Sequence, residues 1–217
     1  DGPSAATVVV DADLLPADLP AEAAHHVWEE ASRRVTLALI EARAGELLMF
    51  HAGAVCHPGT GRSLVFVAPS QMGKTTLAAT LGARFGYLSD ELVAIDCTDA
   101  GLPVLGYPKP LSVRDPSGGP RRELSPDDLG LLPAHPSPRL ARLAILARDP
   151  NHAGPPVVEQ LALFDAVVEL APQMSSLGAM DRGLHRLADA IERSGPVLRL
   201  MYSDGESLLP VVEGLLS

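Results

Sequence analysis

Residues 63–96, SLVFVAPSQMGKTTLAATLGARFGYLSDELVAID, constrain the fold more than any other stretch of the chain. The apolar run at 63–67 reads as a strand buried on both faces. A short loop ends at Gly73-Lys74-Thr75. A helical pattern follows, with Thr76, Leu77, Ala78, Ala79, Leu81 and Ala83 supplying a packing face and Gly86 expected to end it. Then Ser89-Asp90-Glu91 leads into a further strand region. Strand, loop, helix, strand is the basic unit of an α/β fold, here a mixed sheet flanked by helices.

Positions 68–75 read APSQMGKT. The phosphate-loop pattern is G-x-x-x-x-G-K-[ST], with a strand before it and a helix after it. Gly73, Lys74 and Thr75 match, and Ala68 replaces the first glycine with a residue small enough for the turn. Successive backbone N–H groups wrap phosphates in such a loop, and the helix N-terminus adds positive potential. Ala68, Pro69, Ser70, Gln71, Met72, Gly73, Lys74, Thr75 and Thr76 are therefore the expected nucleotide-binding set. Lys74 would reach the β- and γ-phosphates of ATP, and Thr75 would hold Mg²⁺ through its hydroxyl. A strand–loop–helix carrying Gly-Lys-Thr by chance is the alternative, and the context on both sides favours the nucleotide.

Asp90 and Glu91 interrupt an apolar stretch. In a solvated loop such a pair is unremarkable. Beside a phosphate loop it needs a neutralising cation. Mg²⁺ would serve, with one carboxylate orienting the metal and the other accepting a hydroxyl proton.

Bulk composition narrows the classes. The net charge is -10 and no basic face is visible, which argues against nucleic acid as a partner. Aromatics make up only 4%, so the core must be aliphatic. No apolar run is long enough to span a bilayer and no signal peptide is evident, so no membrane partner is expected and a cytoplasmic location is the default. Cys56 and Cys97 form no metal or redox motif, and a buried free thiol is the preferred reading of each. His25 and His26 are adjacent, not at the i,i+4 spacing of helical metal ligands.

Elsewhere the patterning predicts a strand at 6–11, a Pro-punctuated turn at 14–20, and a helix from Pro20 to near Gly45. Residues 47–50 read as a strand turning into a second one at 51–55, with a tight turn at 58–61. Short strands are expected at 102–105 and 111–113. The stretch 116–138 is rich in Pro, Gly and charge and reads as a surface excursion that is partly disordered without ligand. Within it Arg121 and Arg122 are open to a nucleotide or acidic-substrate role, or to none. Strands at 140–147, 157–161 and 196–201 and helices at 163–170, 180–193 and 207–216 complete the chain. On the 180–193 helix, Leu184, Leu187, Ala188 and Ile191 share the expected buried face.

Four segments in this order resemble the HPr kinase/phosphorylase family and its shorter serine-kinase-like relatives: HAGAV (51–55), FVAPSQMGKTTLAATL (66–81), LSDELVAID (88–96) and GYPKPLSVRD (106–115). The match is good over about 47–115 and only general in the C-terminal third. It implies an HPr kinase C-terminal-domain-like, P-loop-containing fold, with residues 1–217 forming one domain. It also implies an ATP- and Mg²⁺-dependent kinase acting on a serine hydroxyl. Asp90 matches the general base, Glu91 the second acid near Mg²⁺, and His51 a histidine that tunes the acid pair or relays a proton. From the residues alone, His51 is equally a hydrogen-bonded strand histidine. Lys109 and Arg114, around Pro108-Lys109-Pro110, are candidates for stabilising charge on the phosphate, against the bland reading of Lys109 as a solvated turn lysine.

The departures are Gln71 and Met72 in place of small loop residues, Asp-Glu in place of Asp-Asp, and no expectation of the family's separate N-terminal domain. They point away from HPr and toward a peptide or small-protein acceptor, such as a biosynthetic precursor peptide. Family assembly through this domain implies a homo-oligomer. Two other readings stand beside the kinase of peptides: a nucleotide-binding regulator or assembly protein without transfer chemistry, and a kinase of a free small molecule.

Overall fold

The computed structural model describes residues 21–68, 72–113 and 121–217, without the side chains of 21–26 and 28. The strand expected at 6–11, the turn at 14–20, and Pro69, Ser70, Gln71 and Arg114 of the candidate site lie outside the described residues.

The expected first helix is α1 (Ala21–Ala42). Leu39 and Ile40 near its end pack against Leu47, Met49 and Leu92. The chain then enters β1 (Leu48–Cys56), a single strand where two were expected. What changes near its middle is the partner, not the direction. Leu48 to His51 pair with β4 (Leu92–Ile95). Ala52 to Cys56 pair with β2 (Arg62–Val67), and Ala54 to Cys56 also with β3 (Gly86–Ser89). Gly53 sits opposite Phe66, and a Cβ there would come within 2.3 Å of the Phe66 ring. That glycine makes room for an aromatic ring and does not mark a turn.

The helix after the loop is α2 (Lys74–Gly82). It stops a turn before the expected Gly86, which instead begins β3 paired with Cys56. Leu77, Ala78 and Leu81 are buried, but Thr76 and Ala83 face solvent. After β4 come β5 (Val104–Gly106) and β6 (Leu111–Val113), close to the expected short strands. The stretch expected as a surface excursion at 116–138 is described from residue 121 onward. It holds β7 (Arg122–Leu124), paired with β6, and a buried Leu131 that packs under α2. A single buried leucine in a polar stretch carries no periodicity, so the burial of Leu131 left no pattern to read.

Next come β8 (Arg139–Arg148), β9 (Val157–Gln160), α3 (Leu163–Leu170), the two-residue β10 (Met174–Ser175), α4 (Gly183–Ser194), β11 (Leu198–Tyr202) and α5 (Leu209–Leu216). The main sheet runs β5-β4-β1-β2-β8-β11-β9, with β3 and β10 also paired to β1. β2, β8 and β11 are mutually parallel, while β1 and β9 run antiparallel to their neighbours. The sheet is therefore mixed. Alternation along β2 and β8 sends Val65, Val67, Leu143 and Ile145 to a core shared with α3 and α4. The same alternation sends Leu64, Phe66, Ala144 and Leu146 to a core shared with α2 and α5. Helices on both faces explain why these strands read as continuous apolar runs. On α4, Leu187, Ala190 and Ile191 are buried, but Leu184 is 52% exposed, so it does not belong to the expected face. Cys56 is buried, Cys97 partly so, and both are free thiols. Among the described residues no helix is long and apolar enough to cross a membrane.

Candidate active site

Gly73 is the N-cap of α2 and sits in the left-handed region at φ 83. A side chain there would be strained, which explains the glycine directly before Lys74. Ala68 needs no such freedom: its φ is not positive and its methyl is fully buried in the core beneath α2. The replacement of the first pattern glycine is thus accommodated as a core contact. Met72 packs against the same cluster. Lys74 is buried, and its Nζ donates to the Ala68 carbonyl at 2.8 Å. Burial holds its pKa below the ordinary lysine value, against the opposing pull of Asp90. Thr75 is half-buried in the first turn of α2, and Thr76 is exposed on the outer side.

The acids are carried by the short connection between β3 and β4. Ser89 fixes that connection. Its buried Oγ accepts the N–H groups of Glu91 and Leu92, both at 3.2 Å, and donates to the Tyr107 carbonyl at 3.1 Å. One hydroxyl therefore shapes the acid turn and ties it to the Pro-Lys-Pro segment. The Lys109 N–H donates to the Tyr107 carbonyl at 2.9 Å, closing a tight turn that directs the lysine.

Asp90 is buried, and the Tyr87 hydroxyl donates to its Oδ1 at 3.1 Å. Burial first, and then the Asp90 charge, push the Tyr87 pKa well above its ordinary value, so the phenol stays a donor. Lys109 Nζ lies 3.3 Å from Glu91 Oε2 and 3.8 Å from Asp90 Oδ1. Burial works against the Lys109 charge, but Asp90 and Glu91 outweigh it and the pKa is raised. Lys109 is therefore an ion-pair partner of both acids, not a solvated turn lysine.

His51 lies on β1 opposite Leu92, and the N–H of its neighbour Ala52 donates to the Glu91 carbonyl at 3.1 Å. Its ring is accessible to solvent, yet surrounding protein still desolvates it. That desolvation, and next the Lys74 charge, lower its pKa, against Glu91 and Asp90. The structure thus groups Lys74, Asp90, Glu91, His51 and Lys109 around the N-terminus of α2. Arg121 and Arg122 are exposed on or beside β7.

Sequence reading passed over Tyr87 and Ser89. The signal for Tyr87 was its spacing of three from Asp90 across the end of a strand. For Ser89 it was a small hydroxyl directly before two acids, a common turn-former. Its bond to Tyr107 had no local signal.

No three His, Cys, Asp or Glu converge as a metal cluster among the described residues. A Mg²⁺ shared with phosphates needs only one or two protein carboxylates. Thr75, Asp90 and Glu91 offer an all-oxygen donor set of the hard type that Mg²⁺ takes.

No protein-family model matches the chain, and no curated protein does. Among solved structures it is similar to the Hpr(Ser) kinase/phosphatase from Coxiella burnetii, at a TM-score of 0.43 and 10% identity, over 77% of this chain and 93% of that one. A likeness that loose carries no argument about chemistry.

Proposed function

We propose that this chain is an ATP-dependent kinase that transfers the γ-phosphoryl group to a hydroxyl, a serine of a peptide or small protein such as a biosynthetic precursor peptide. The observation that carries this reading is the buried Asp90, held by Tyr87 and Lys109 beside a buried Lys74 at a helix N-terminus. A carboxylate positioned beside the site of phosphoryl transfer can serve as general base toward an acceptor hydroxyl. In the proposed reaction Asp90 takes the proton of the acceptor hydroxyl as its oxygen bonds to the γ-phosphorus. The bond from that phosphorus to the β–γ bridging oxygen breaks, and ADP leaves with the charge.

Lys74 would leave the Ala68 carbonyl for the phosphates, and the N–H groups at the start of α2 would add positive potential. Mg²⁺, held by Thr75 with Glu91 or Asp90, would neutralise charge on the phosphates. Lys109 would hold the two acids side by side through its ion pairs, and His51 would adjust the local charge. The reading takes residues 1–217 as one P-loop domain, working in the cytoplasm without nucleic acid or membrane, as a homo-oligomer.

The test is incubation with Mg·ATP and a panel of serine-containing peptides and free hydroxyl compounds, followed by mass spectrometry for added phosphate. Transfer to peptides that disappears in Asp90→Asn, with nucleotide still bound, is expected. Nucleotide binding without transfer to any acceptor would instead mean a regulator. Transfer only to free small molecules would move the acceptor class.

A further inference from the structure

A phosphoryl group in transfer is further stabilised by a cationic side chain besides Lys74 and Mg²⁺. Lys109 does not supply it, because its ammonium is held between Glu91 and Asp90. The acids and Lys109 all stand on the β1, β3 and β4 side of β2. On the other side of β2 the neighbouring strand is β8. Val67, the last residue of β2, pairs with Ile145, and β8 continues beyond it to Arg148. Alternation puts Arg148 on the face of Ala144 and Leu146, the face that α2 covers.

The Arg148 side chain turns toward the start of that helix. Its Nη1 lies 3.9 Å from where a Cβ on Gly73 would be. Its Nε donates to the Ser203 carbonyl at 3.1 Å, which anchors the guanidinium by one corner. Neither Nη nitrogen has a hydrogen-bond partner among the described residues, and no carboxylate there pairs with Arg148. A guanidinium anchored through Nε presents its two Nη groups as a fork, the geometry suited to two phosphate oxygens.

We propose that Arg148 is a phosphate-contacting residue of this site, gripping the terminal phosphate of a nucleoside triphosphate from the side opposite Asp90 and so favouring triphosphate over diphosphate. The proposal rests on the nucleotide reading above. With it, the α2 N-terminus lies between an acid side, which receives the acceptor hydroxyl, and a cationic side, which holds the group being transferred. Arg148 is far from the loop in sequence and belongs to none of the segments that carry the family resemblance.

The test measures binding without turnover. A non-hydrolysable ATP analogue and ADP are each titrated, by displacement of a fluorescent nucleotide, into the wild type, Arg148→Ala, Arg148→Lys and Lys74→Ala, with thermal melts as a check on folding. Loss of charge-assisted hydrogen bonds should weaken Arg148→Ala for the triphosphate by about tenfold or more. Its ADP affinity should change by less than about twofold, since the fork faces the terminal phosphate. Arg148→Lys should recover only part of the loss, because a point charge replaces the fork.

Equal affinity of Arg148→Ala and wild type for the triphosphate would overturn the proposal. So would an equal loss for both nucleotides accompanied by a lower melting temperature, which would leave Arg148 only its bond to Ser203. A wild type that binds neither nucleotide would overturn the nucleotide reading itself, whereas a wild type that binds both while Arg148→Ala is unaffected would overturn only the role of Arg148.

Discussion

Asp90 is the residue whose surroundings say most about the chemistry, and two substitutions near it separate structure from charge. Tyr87→Phe removes the single hydroxyl that donates to Asp90 Oδ1 and leaves the ring packing in place. A buried carboxylate that loses a donor is destabilising by about 1–3 kcal/mol, which urea denaturation would register. An unchanged midpoint would mean that the bond contributes nothing. His51 reports the charge balance. Its pKa lies below the ordinary 6.5, with desolvation the largest cause and Lys74 the next. Lys74→Met should therefore raise the His51 pKa, and Glu91→Gln should lower it further, as followed by NMR titration of the ring protons. The linkage has a definite sign. The unfolded chain binds this proton more readily than the folded one, so below about pH 6.5 His51 makes stability fall as pH falls, down to its folded-state pKa. His51→Gln should flatten that part of the stability profile, and a profile as steep as wild type would remove His51 from the balance.

At the scale of elements, β1 joins the acid-bearing strands to the loop-bearing strand, and its pairing depends on Gly53 lying against Phe66. Gly53→Ala would force the Phe66 ring to move. Overpacking of this kind costs about 1–3 kcal/mol, measurable by denaturation, and Gly53→Ala with Phe66→Leu should recover part of it. No recovery would locate the cost elsewhere than the ring. The same strand shows where sequence reading stops. Runs such as 63–67 and 140–147 announce strands buried on both faces, and the heptad-like spacing at 180–193 announces a helix. A change of partner in mid-strand leaves no mark in composition, so 47–50 and 51–55 read as two strands. α2 likewise ends early because β3 must pair with β1, which is a demand of the sheet. In the site, Gly73, Lys74, Asp90 and Glu91 were legible because the motif is local. The contacts that arm them were not. Ser89 to Tyr107, Lys109 to the acids, and Arg148 beside Gly73 join residues that only the folded sheet brings together.

At the scale of the molecule, the parallel strands β2, β8 and β11 direct their carboxyl ends toward one edge of the sheet, where α2 begins. Ligands of open α/β sheets bind in the crevice outside those ends. The acids reach that edge from one side of β2 and Arg148 from the other, so a ligand held there would touch elements from both halves of the sheet. Binding should then stabilise the whole fold and not one loop. With Mg·ATP at a hundred times its dissociation constant, the linkage amounts to about 2.7 kcal/mol. For a chain of this size that corresponds to a rise in melting temperature of roughly 5–10 °C. Lys74→Ala should abolish most of the rise, because Lys74 is the buried cation at the start of α2. Asp90→Asn should keep most of it, since Thr75 and Glu91 remain to hold Mg²⁺, the proposed base acts on the acceptor, and an amide of the same shape can still accept from Tyr87. A rise that survives Lys74→Ala intact would place the nucleotide elsewhere on the molecule. A rise lost equally in both variants would make Asp90 part of nucleotide binding and deprive it of its separate role as base.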